Sequence, residues 1–143
     1  MTEPDEYDEF GMLSQNADEA GLVLGREPAV TRRSFPVPGG QAVSAIAWGE
    51  AEPELVLLHG GGQNAHTWDT VALSLGRPLL AIELPGHGHS DRRPDRDYGP
   101  WRNAEAVASV MDQAAPRSAG VVGMSLGGVT TIRLRGNASS ELT

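Results

Sequence analysis

The sequence predicts an α/β fold, a mostly parallel sheet flanked by helices. Three observations carry this. Leu55–Leu58, Leu79–Leu84 and Gly120–Met124 are apolar runs without polar alternation, as strands covered on both faces require. Helical patterns lie between these runs, the order expected of parallel strands joined by crossovers. Each run ends in a loop rich in glycine or histidine: HGGGQNAH at 59–66, PGHGHSD at 85–91 and GMSLGG at 123–128.

Residues 1–28 read as an acidic leader that need not be ordered, 29–136 as the folded part and 137–143 as a tail. Val30–Pro36 and Ala42–Trp48 are strand-like, and Pro38-Gly39-Gly40 between them predicts a hairpin. Trp68, Val71, Ala72 and Leu75 follow the i, i+3, i+4, i+7 spacing of one buried helical face, which Gly76 and Pro78 terminate. Asn103 is placed to cap a second helix with the face Ala104, Val107, Ala108 and Met111, and Pro116 lies beyond its end. A third helix is expected to start near Ser125 and to lose its pattern at Gly136-Asn137.

Composition narrows the chemistry. The 143 residues contain no cysteine, which excludes disulfides, thiolate metal sites and cysteine nucleophiles. There is no lysine either, so Ser-Lys dyads, Schiff bases and a P-loop lysine are excluded. The net charge of −8 comes mostly from the leader: seven of the 19 acids lie in residues 1–20, leaving 12 against 11 arginines. No basic stripe exists to neutralise nucleic-acid phosphates, and no apolar run approaches the ~20 residues that span a bilayer. No secretory signal pattern opens the chain, so a cytoplasmic location with neither nucleic-acid nor membrane partners is expected.

Ligands bind at the carboxyl ends of strands in open α/β sheets, and all three loops are expected there. G-x-S-x-G at 123–127 is the most informative. A serine on a sharp strand-to-helix turn takes strained dihedrals, and the residues two before and two after crowd each other. Gly123 and Gly127 supply that room, lifting the Ser125 hydroxyl to a helix N-terminus where a developing negative charge is favoured. After His59, the glycines 60–62 leave backbone N–H groups free to point into a site. A plain glycine-rich turn is the alternative for both loops.

In this order, LVLLHGGGQNAHTW, AIELPGHGHSD and GVVGMSLGG resemble the N-terminal half of an α/β-hydrolase of the serine-nucleophile, esterase- or lipase-like branch, from about residue 30 to about 135. The resemblance implies that Ser125 is the nucleophile and that the N–H groups of Gly61 and Leu126 form the oxyanion hole. His59, Gly62, Gly123 and Gly127 then act in support. It implies a small-molecule ester or other acyl substrate, including carbon–carbon bond hydrolysis, and no cofactor. The PGHGHSD loop is structural on this reading.

The family carries its triad in the order Ser, Asp or Glu, His. His59, His66, His87 and His89 all precede Ser125, and Glu141 is the only acid after it. The sequence therefore reads as truncated after the nucleophile helix, without the triad acid and base. Four expectations follow. The chain is an inactive fragment or a binding module; or His59 or His87 substitutes as base; or His87, His89 and Asp91, spaced H-x-H-x-D, hold a metal and activate water. The unpartnered edge of the 120–124 strand is an expected site of self-association.

Overall fold

The computed structural model of the chain describes residues 8–19, 21 and 29–141, with side chains described as far as residue 134. Five strands, β1 (Val30–Pro36), β2 (Ala42–Trp48), β3 (Leu55–Leu58), β4 (Leu79–Ile82) and β5 (Gly120–Gly123), form one sheet in the order β1-β2-β4-β3-β5. The pairs β3–β4 and β3–β5 are parallel, whereas β1–β2 and β2–β4 are antiparallel. The sheet is thus mixed rather than mostly parallel: the hairpin predicted at Pro38-Gly39-Gly40 forms, with φ of 99° at Gly39 and 82° at Gly40, and adds two antiparallel strands at one side. The three apolar runs form the parallel part.

Among the described residues, four helices cover the sheet: α1 (Leu13–Glu19), α2 (Asp69–Leu75), α3 (Pro100–Ala114) and α4 (Leu126–Glu141). Alternation along the strands divides the core in two. Val56, Leu58, Leu80 and Ile82 pack with Val107 and Val110 of α3, and Leu126 and Leu134 of α4 join them. Leu57, Leu79, Ala81 and Ile46 face the other way, against Ala72 and Leu73 of α2 and Leu13 and Ala17 of α1. Among the described residues, no helix is long and apolar enough to cross a membrane.

Four local expectations are corrected. The buried face in and before α2 is Ala65, Asp69, Ala72 and Leu73, while Val71 and Leu75 are exposed. A 3-10 turn at Ala65–Trp68 precedes α2 and rotates its face. α3 starts earlier than Asn103 because Gly99 and Pro100 supply its N-cap and first residue. Asn103 is instead buried inside the helix, its Nδ2 donating to the Tyr98 carbonyl. α4 continues past Gly136-Asn137 to Glu141.

Part of the leader belongs to the core. Leu13 and Ala17, four residues apart on α1, share one face and are both buried, which stabilises a seven-residue helix too short to stand alone. Just before it, Glu9 accepts from Arg32 of β1 through both carboxylate oxygens, at 2.8 and 2.6 Å. These bonds, led by the Arg32 hydrogen bond, lower the Glu9 pKa to about 2.

Candidate active site

Register brings the three loops to one place. Leu58 lies opposite Ile82 on one side and Gly123 on the other, so the segments starting at His59, Glu83 and Met124 leave the sheet in one row. The loops predicted at the carboxyl ends of the strands therefore converge.

At β5 the chain turns sharply. Ser125 is exposed and has φ of 53°, a left-handed conformation that costs a side-chain-bearing residue about 1–2 kcal/mol. Met124 N–H still donates to the Leu58 carbonyl at 3.1 Å, and Gly127 N–H turns back to Met124 at 2.9 Å, so the strand passes into α4 with no intervening loop. The flanking glycines are sterically obligatory. A methyl group on Gly123 would overlap the Gly127 carbonyl, and one on Gly127 would stand 2.6 Å from the His59 carbonyl oxygen.

The 59–62 loop lies against this turn. A methyl group on Gly60 would be 3.4 Å from Ser125 Cβ, and one on Gly61 would be 3.9 Å from Leu126 Cδ2. Among the described residues, no hydrogen bond occupies the N–H of Gly61 or of Leu126. Gly62, with φ of 74°, is exposed beyond them. An alcohol at the start of a helix thus adjoins two unengaged backbone donors, an arrangement able to attack a carbonyl and hold the resulting oxyanion.

Among the described residues, none of the four histidines hydrogen-bonds Ser125. His59 is fully buried; its Nε2 accepts from Leu84 N–H at 3.0 Å, so its proton sits on Nδ1, which donates to the Gly60 carbonyl at 2.7 Å. Burial pulls its pKa below the usual histidine value, against the effect of the Gly60 bond. With both nitrogens engaged, His59 has no lone pair for a serine proton, contrary to the expectation of a substitute base. His87 stacks obliquely on His59 at 5.0 Å between centroids, its Nδ1 3.0 Å from the Pro85 carbonyl.

The metal-like spacing also disperses. His87 lies against His59, His89 Nδ1 is 3.3 Å from Glu83, and Asp91 Oδ2 accepts from Ala42 N–H at 2.8 Å. The three side chains bond to different partners, so the spacing does not build the expected ligand set. The PGHGHSD loop instead closes the sheet end, with Ser90 Oγ donating to the Glu83 carbonyl at 2.6 Å and accepting from Ser44 N–H at 2.9 Å.

Glu83 escaped sequence reasoning. Only its position as an acid inside the apolar run LLAIELP signals it. It is buried, and its carboxylate accepts from His89 N–H at 2.8 Å, Ala65 N–H at 3.1 Å and Arg32 Nη1 at 2.6 Å. Burial works to raise its pKa, but these bonds together hold it below the usual carboxylate range. One side chain ties two of the loops to β1.

Residues 55–140 match the profile of the Alpha/beta hydrolase family, and the chain belongs to it. Esterase Rv0045c of Mycobacterium tuberculosis is 54% identical over 127 residues, covering 89% of this chain and 41% of its own length. Its crystal structure superimposes with a TM-score of 0.85 over 96% of this chain and 47% of that one, at 49% identity. A pimeloyl-(acyl-carrier protein) methyl ester esterase from Aeromonas salmonicida is 38% identical over 96 residues, 65% of this chain and 35% of its length. The chain thus spans less than half of each relative.

Proposed function

We propose that the chain carries the nucleophile and oxyanion-binding part of a serine esterase acting on small-molecule carboxylic esters or related acyl compounds. The single observation that carries the reading is the left-handed, exposed Ser125 set against the Gly60–Gly61 loop. The esterase names of its relatives support esters as the substrate class.

Ser125 Oγ attacks the acyl carbon, and the carbonyl electron pair moves onto oxygen between the N–H groups of Gly61 and Leu126. Collapse of this adduct expels the alcohol and leaves an acyl-serine for water to cleave. Gly123 and Gly127 permit the turn, and Gly62 lets the loop open toward solvent. The serine proton needs a base, and no histidine follows Ser125 in these 143 residues. His66 is held by Asp69 at 2.7 Å and Glu9 at 2.9 Å. Among the described residues no hydrogen bond joins a histidine to Ser125, so on this reading a further group accepts the proton. Loss of a triad histidine costs on the order of 10⁶ in turnover, leaving roughly 10³–10⁴ over water.

Hydrolysis of a short-chain p-nitrophenyl ester is accordingly expected near background, with a small increment that Ser125→Ala removes. Strong turnover that survives Ser125→Ala would overturn the reading. That no described histidine bonds Ser125 favours a second reading, a binding module that retains the fold without chemistry, and covalent phosphonylation of Ser125 would separate the two. Self-association through β5 belongs to the same proposal: β5 pairs only with β3 among the described residues, and Val122, Met124, Val129 and Ile132 are exposed beside it.

A further inference from the structure

We infer that His59 and Gln63 are positioning residues that grip Gly60 from both ends and thereby aim the Gly61 N–H toward the Ser125 side of the loop. The inference rests on the serine-hydrolase reading for its function, but not for its geometry. The Gly60 carbonyl accepts from His59 Nδ1–H at 2.7 Å and from Gln63 N–H at 3.2 Å. The Gly60 N–H donates to Gln63 Oε1 at 2.9 Å. Every polar backbone atom of Gly60 is thus occupied.

The peptide joining Gly60 to Gly61 is planar and trans, so its N–H points opposite to its C=O. Anchoring the Gly60 oxygen on the imidazole turns the Gly61 N–H away from the buried ring. Ser125 Cβ lies 3.4 Å from where a methyl group on Gly60 would stand, and Leu126 Cδ2 3.9 Å from one on Gly61, so both residues adjoin this loop. The imidazole is itself fixed, because Leu84 N–H bonds its other nitrogen and links the loop to the end of β4. Gln63 adds what the buried ring cannot, a brace on the solvent side. Fixing a donor before charge develops is what makes such a site effective, since displacement by about 1 Å costs roughly 10²-fold.

The test uses the full chain. Proton–nitrogen NMR at pH 8 is expected to show His59 neutral with its proton on Nδ1, and the Gly60 amide protected from exchange. Gln63→Ala is expected to deprotect Gly60 and slow phosphonylation of Ser125 by a fluorophosphonate roughly 10-fold, with little change in Tm. Gln63→Glu, which keeps the accepting oxygen, is expected to restore Gly60 protection. An Nε2–H tautomer, or a Gly60 amide indifferent to Gln63→Ala, would overturn the clamp. An unchanged phosphonylation rate in Gln63→Ala would overturn its role in aiming Gly61. If the unsubstituted chain takes no label at Ser125, the hydrolase reading fails and the role with it, while the NMR arms still decide the clamp.

Discussion

Gly127 packs its Cα against the backbone of His59, so that a methyl group there would stand 2.6 Å from the His59 carbonyl oxygen. Two of the three loops are therefore in backbone contact, and the turn carrying Ser125 fits only while residue 127 has no side chain. Gly127→Ala, and likewise Gly123→Ala against the Gly127 carbonyl, is expected to destabilise the chain by about 1–3 kcal/mol, the usual range for overpacking. Gly128→Ala meets nothing closer than 3.4 Å and is expected to be mild. Urea unfolding of the three variants checks the contrast.

Strain at Ser125 has the opposite sign. Replacing it with glycine relieves the left-handed conformation, against the entropy glycine loses on folding. Ser125→Gly is expected to stabilise by roughly 0.5–1 kcal/mol, whereas Ser125→Ala gives no such gain. Denaturation midpoints for the two variants measure it, and equal midpoints would show that the turn stores no strain.

His59 and His66 predict opposite pH dependences. The folded pKa of His59 is lowered chiefly by burial, so its contribution to stability is complete above the ordinary value of 6.5 and is lost as pH falls below it. For His66, burial acts downward, but the hydrogen bonds it donates to Asp69 and Glu9 prevail and the folded pKa is raised. Its contribution is complete below 6.5 and is lost as pH rises through the folded value. Thermal midpoints between pH 5 and 9 are expected to fall at both ends, and His66→Gln is expected to flatten the alkaline side alone.

Besides the burial of Leu13 and Ala17, Glu9 ties the described part of the leader to β1. Glu9→Gln weakens the paired bonds to Arg32 and the bond to His66, and is expected to cost about 1–3 kcal/mol. The effect also depends on pH: because Glu9 ionises at about 2 in the fold, its contribution is present above the usual 4.5 and lost as pH falls toward 2. Proteolysis near α1 in Glu9→Gln, at pH 7, reports whether the segment has come away.

Self-association through β5 predicts a concentration-dependent sedimentation coefficient. Val122→Arg, a charge on an exposed face of the edge strand, is expected to abolish that dependence while leaving Tm nearly unchanged.

The apolar runs announced β3 and β4 because strands covered on both faces have no polar positions to disguise them. β5 carries the same kind of run although Val122 is exposed, contrary to the expected cover on both faces. The glycine pair at 39–40 announced the hairpin. What escaped notice depends on distant partners. Nothing local distinguishes Val71 from Leu73 as the buried residue, because the 3-10 turn ahead of α2 sets the helix face. Asn103 has the chemistry of a cap, yet Pro100 three residues earlier starts the helix. At the site, the G-x-S-x-G turn was legible because its glycines answer a local steric demand. The locking of His59 was not, since Leu84 lies 25 residues away. Glu83 and Glu9 were hidden for the same reason: their partners come from other strands and loops.

The central proposal is that Ser125 presents its hydroxyl beside the free amides of Gly61 and Leu126. Fluorophosphonate labelling followed by peptide mass mapping, with and without added imidazole, tests this most directly. The account predicts slow modification confined to Ser125, accelerated by imidazole and absent in Ser125→Ala. Label spread over other serines, or none at Ser125 even with imidazole, would contradict it.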